Sequence, residues 1–153
     1  MANRLSLSNL LQQQQQRLTQ LLESLVAETE ALVNRDVERI ELLLKQKAIL
    51  LEEIRLADIG IGRHPELVWL QDPTSAEDPN AVAELQQQLQ SCQQLLADCQ
   101  QRNQHNHTQA EQITASLNRL QQLLQSTSHS NAITYTDKGN THVGSRLGKA
   151  ITA

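Results

Sequence analysis

Apolar residues recur along the first third of the chain at a spacing of eleven. Leu11, Leu22, Val33 and Leu44 form one row. Leu7, Leu18, Ile40 and Leu51 form a second, and Thr29 fills the gap between Leu18 and Ile40. Eleven residues complete nearly three helical turns, so both rows share one stripe of an almost straight helix. Glu38, Arg39, Glu41 and Lys45 fall largely on the other face. The spacing predicts one helix from about Leu5 to Ala57. The Gln run at 12–16 stays inside it, since Gln is a good helix former. Leu21, Leu25, Leu43 and Leu50 widen the stripe, and a stripe that wide ordinarily covers more than one neighbour.

The pattern stops at "ADIGIGRHPE", where Gly60 and Gly62 end it and Pro65 prevents its return. "PELVWLQD" predicts a short helix near 65–71 with Pro65 at its first position, and "DPTSAEDPN" reads as a linker. A second long helix starts between Asp78 and Asn80. Val82, Leu89, Leu96, Asn103, Ala110, Leu117 and Leu124 recur every seven residues, with Leu85, Cys92, Cys99, Asn106, Ile113 and Leu120 as the companion row. These are filled heptad positions, and they run to about Gln125. Beyond that, no period lasts. The reading is an all-α protein: a long antiparallel helical hairpin or bundle over 1–125, with a short connecting helix, and a flexible partner-binding tail over 126–153.

Two heptad positions are polar. An antiparallel hairpin places residues near 103 opposite residues near 33, with Asn34 and Asp36 as partners, and Lys47 interrupts the first seam in the same way. The expectation is a core polar layer of Asn103, Asn106, Asp36 and Lys47. A buried Asn costs stability unless it is partnered, but it discriminates against wrong registers.

Composition narrows the function. The 153 residues hold 13 Lys+Arg against 17 Asp+Glu, a formal net charge of -4, with no basic face of the kind that binds nucleic acid. No stretch approaches a membrane span, so no membrane insertion is expected. Cys92 and Cys99, two turns apart on one helix, are separated by about 10 Å, too far for a disulfide. A reducing, cytoplasmic setting follows. Neither these cysteines nor His105 and His107 have a metal-ligand spacing. Neither a Gly-rich phosphate loop nor an ordered nucleophile and base is evident, so no enzyme activity, cofactor or metal is expected. In the tail, Ile133, Tyr135, Val143, Leu147 and Ile151, separated by Gly139 and Gly144, suit a segment that orders on a partner with Tyr135 as anchor.

Three stretches resemble the FlgN family of flagellar export chaperones. "ETEALVNRDVERIELLLKQKAILLEEI" is similar to a Glu-x-Ala-Leu, Asp, Lys-x-x-Leu-Leu pattern through Glu30-Ala31-Leu32, Asp36 and Lys47 to Leu50-Leu51. "CQQRNQHNHTQAEQI" resembles a Cys/Asn stretch ending Asn-x-x-Asn-Gly, with His107 where the Gly is usual. "TYTDKGNT" resembles a Tyr-Asp-x-x-Gly signature through Tyr135 and Gly139, with Thr136 in place of the Asp. The resemblance implies a cytoplasmic type III export chaperone. Its clients would be the hook–filament junction proteins FlgK and FlgL, held by their C-terminal helical segments. It also implies docking at the export gate component FlhA, with Tyr135 taking part. The alternative from the heptads alone is a structural coiled-coil adaptor without an export role.

Overall fold

The computed structural model describes residues 6–134. Four α-helices follow one another: α1 (Leu7–Asn34), α2 (Val37–Gly62), α3 (Val68–Gln71) and α4 (Pro79–Thr134). Short 3-10 turns at Pro65–Leu67 and Pro73–Ser75 flank α3. Among the described residues there is no strand. The chain divides into two compact units, Met1–Asn106 and His107–Ala153.

The single helix expected over 5–57 is two helices. Arg35 breaks it by adopting the left-handed conformation at φ 54°. The Asp36 N–H bonds the Ala31 carbonyl at 2.9 Å and the Arg35 N–H bonds that of Leu32 at 3.2 Å. This is a Schellman closure, which satisfies carbonyls that a helix end leaves without partners. Asp36 then starts the next helix, its carboxylate accepting from the Arg39 N–H at 3.2 Å. Glu38 adds a favourable charge to that first turn. Neither Gly nor Pro marks the reversal. The second helix also runs on through Gly60 and ends at Gly62, not at Ala57.

The crossover is held by its own caps. His64 Nδ1 accepts from the Glu66 N–H at 3.2 Å, and the Asp72 carboxylate accepts from the Thr74 N–H at 3.2 Å. Asp78 accepts from the Asn80 N–H at 2.9 Å, at the start of α4. The crossover closes one end of the first unit. Leu7, Leu11, Ile61 and Leu85 form a buried cluster there, with Leu67, Trp69 and Leu70 packed against it. Glu66 Oε2 accepts from the Leu7 N–H at 3.0 Å, so a crossover carboxylate caps the first turn of α1.

Pairing within the first unit differs from the hairpin expected. Helix α2 runs antiparallel to α1, as Ile61 near Leu7 and Lys47 near Glu28 require. Helix α4 runs parallel to α1. Its contacts step forward together: Cys92 to Leu11, Cys99 to Leu18, Asn106 to Leu25. The extra reversal at Arg35 inverts the direction in which the chain leaves the first segment. Residues near 103 therefore meet residues near 25, not near 33. In the second unit α4 continues to Thr134, so the boundary expected at 125 falls inside a helix. No Gly or Pro between Gln125 and Thr134 stops it.

Candidate functional site

Toward the Arg35 end of the first unit, polar side chains from three helices meet. Asn106 of α4 is 1% exposed. Its Nδ2 donates to the Leu25 carbonyl at 2.9 Å, and its Oδ1 accepts from the Thr29 hydroxyl. The same hydroxyl lies 3.0 Å from the Leu25 carbonyl, so its one proton has two acceptors in reach. Beside this triangle, Lys47 of α2 donates to Glu28 of α1 at 3.1 and 3.3 Å and to Asn103 Oδ1 of α4 at 3.2 Å. Both members of the ion pair are largely buried. The bonds to Asn103 and to both Glu28 oxygens help compensate for the desolvation of the charges.

This layer fixes the register of α4 on α1. Cys99 and Cys92 repeat the same offset one and two heptads before Asn106, each thiol donating to a carbonyl of α1 at 3.5 Å. A slip by one heptad leaves a thiol able to find another carbonyl. It does not leave Asn106 a Thr29, because Thr29 is the one polar residue in the eleven-residue rows of α1. Burial pushes both thiols above their ordinary pKa, with the Asp98 carboxylate adding to the effect at Cys99. Both are free cysteines, inert as nucleophiles at neutral pH. Among the described residues, no group of three or more His, Cys, Asp or Glu is placed to hold a metal ion.

Outside the layer, α2 leaves much apolar surface uncovered. Only Leu43 and Ile61 of this helix are buried. Leu42 and Leu44 lie about 100° to either side of Leu43. Each begins an exposed row at heptad spacing: Leu42, Ile49 and Leu56 at 55, 62 and 55% exposure, and Leu44 with Leu51 on the other flank. A helix apolar around so much of its circumference is ordinarily buried. In the second unit, Leu120, Leu123 and Leu124 of α4 are also exposed. No helix among the described residues is long and apolar enough to cross a membrane.

A family profile described as "FlgN protein" matches residues 1–142. The chain belongs to the FlgN family. No curated protein and no solved structure matches it. The FlgN family is one of flagellar export chaperones, and membership implies that role here.

Of the residues singled out from the sequence, this FlgN-family structure buries Asn106 against α1 and bonds Lys47 to Asn103, but Asn103 is exposed and lies at the rim of the layer, not in the core. Asp36 is not part of the layer. Its carboxylate is committed to capping α2 at the helix reversal. Ile133 falls in the last turn of α4. Tyr135, Gly139, Val143, Leu147 and Ile151 lie outside the described residues. Sequence reasoning missed Glu28 and Thr29 as members of the layer. The signal for Thr29 was its polar side chain at an apolar position of the eleven-residue row. Glu28 carried no comparable signal, because a carboxylate on a long helix is ordinarily solvated.

Proposed function

We propose that this FlgN-family chain captures the C-terminal helical segments of the hook–filament junction proteins FlgK and FlgL in the cytoplasm and delivers them to the type III export gate. The observation that supports this most is the exposed apolar surface of α2, on a scaffold whose own register is already locked by the polar layer. A segment that assembles through an amphipathic helix must have that helix covered before assembly. A rigid bundle offering apolar rows at heptad spacing covers it by helix-in-groove docking. The second exposed stretch, on α4 after Asn106, extends apolar heptad positions toward the C-terminal segment. In that segment Ile133, Tyr135, Gly139, Val143 and Leu147 form the partner-contacting set, with Tyr135 the anchor at FlhA.

The test is co-elution of the purified full chain with a C-terminal segment of FlgK or FlgL, alongside capture by the cytoplasmic part of FlhA. The expected result is a stable chain–segment complex, and capture by FlhA that Tyr135→Ala weakens. A chain that co-elutes with neither segment overturns the client assignment. Equal capture of the Tyr135→Ala variant overturns the role of the tail. A structural coiled-coil adaptor would instead self-associate and ignore both.

A further inference from the structure

The exposed side of α2 carries a charge pattern as well as apolar rows. Seven charged residues stand among Leu42, Leu44, Ile49, Leu51, Leu56 and Ile59: Glu38, Glu41, Lys45, Glu52, Glu53, Arg55 and Asp58. Arg55 is occupied, forming a bidentate pair with Glu52 at 2.7 and 2.9 Å. Nearby Arg39 sits 3.9 Å from Glu30 of α1. That leaves Glu38, Glu41, Glu53 and Asp58 against Lys45 within the helix and Arg63 at its C-cap, all exposed and none in an ion pair. The surface is apolar in rows and acidic between them.

We infer that α2 is the docking face for a basic amphipathic helix: a client segment whose Leu, Ile or Val row is flanked by Lys and Arg. The inference rests on the chaperone reading above and specifies the chemistry of what it holds. The row from Leu42 to Leu56 spans about 21 Å, which matches a partner helix of about four turns. Client apolar residues at heptad spacing fill the gaps between Leu42, Ile49 and Leu56. Basic residues beside them meet Glu38, Glu41 and Glu53, which lie within about 80° of that row, and this steers encounter and sets helix direction. The same charges disfavour a second copy of this chain. A two-fold interface through α2 would lay one acidic surface on another, and like charges brought together oppose association.

The probe is a synthetic 21-residue helical peptide with Leu at its a and d positions and Lys at e and g. Its comparator carries Glu at e and g. Binding to the full chain is followed by fluorescence anisotropy. The Lys peptide is expected to bind at least about tenfold tighter than the Glu peptide, a difference of about 1.4 kcal/mol. Leu42→Ser/Ile49→Ser/Leu56→Ser should weaken it by about tenfold or more with unchanged helical circular dichroism, since these side chains are more than half exposed. A second variant, Glu38→Gln/Glu41→Gln/Glu53→Gln, keeps the apolar rows and should erase the preference for Lys over Glu.

Equal binding of the two peptides, or undiminished binding to the Ser variant, overturns the inference. So does a wild-type dimer in sedimentation that the Ser variant abolishes, because the face then belongs to a second copy. The same variants are run against FlgK and FlgL segments. A segment captured equally by wild type and Ser variant overturns docking at α2 while the proposed function stands. A chain that binds the Lys peptide at α2 but no junction-protein segment keeps the docking face and removes the proposed function.

Discussion

Replacing Asn106 by Ala tests the polar layer where it is most buried. The change removes the bond from Nδ2 to the Leu25 carbonyl and the acceptor of the Thr29 hydroxyl. Neither α1 group is stranded, because the hydroxyl still has the Leu25 carbonyl at 3.0 Å. The hydroxyl proton moves to that carbonyl, so the loss is one net hydrogen bond of about 0.5–1.5 kcal/mol, plus a small gap where the amide was. A total of about 1.5 kcal/mol follows. With a urea slope of about 1–3 kcal/mol per molar, the unfolding midpoint should fall by roughly 1 M at unchanged slope. Thr29→Val removes the hydroxyl without changing shape. Its double-mutant cycle with Asn106→Ala should return a coupling of about 0.5–1.5 kcal/mol. An Asn106→Ala variant within about 0.5 kcal/mol of wild type, or strict additivity with Thr29→Val, would refute the assignment of register to this layer.

Other expectations follow from neighbouring groups. Lys47→Met leaves the largely buried Glu28 carboxylate without its cation and should cost about 2–4 kcal/mol in urea unfolding. Glu28→Gln/Lys47→Met should recover most of that loss. Gln14 is 6% exposed; its Nε2 donates to the Ile54 carbonyl, but its Oε1 has no partner. Gln14→Leu should therefore stabilise the chain, by about 1 kcal/mol in the same assay. The raised thiol pKa values of Cys92 and Cys99 give a contribution that is complete below the ordinary thiol range near 8.5 and is lost as pH rises through the native values. Urea midpoints under reducing conditions should thus fall more steeply above about pH 8.5 for wild type than for Cys92→Ala/Cys99→Ala.

Much of this structure was legible in the chain. The heptads of α4, the short helix under Trp69 and the two polar positions at Asn103 and Asn106 all follow from spacing and punctuation. The reversal at Arg35 was not, for a physical reason. It uses an Arg in the left-handed conformation where Gly is usual, and the eleven-residue rows pass across the break. Val33 and Leu44 extend those rows, yet both are exposed, so the period there reports uncovered surface rather than core. Missing one reversal also inverted the pairing of α4. A heptad states that a helix has a partner and leaves the partner's direction open. Asp36 shows the same ambiguity at one residue: an acid beside an apolar run is either a polar core member or a cap, and only the break decides.

The central claim is that α2 is uncovered in the free chaperone and covered when a client is held. Amide hydrogen exchange on the full chain, with and without a saturating C-terminal segment of FlgK or FlgL, measures this directly. Protection should rise along 42–59 of α2 on binding and change little around the polar layer at 25–29. A bound segment that leaves α2 exchange unchanged, or that slows only the layer, would contradict the account.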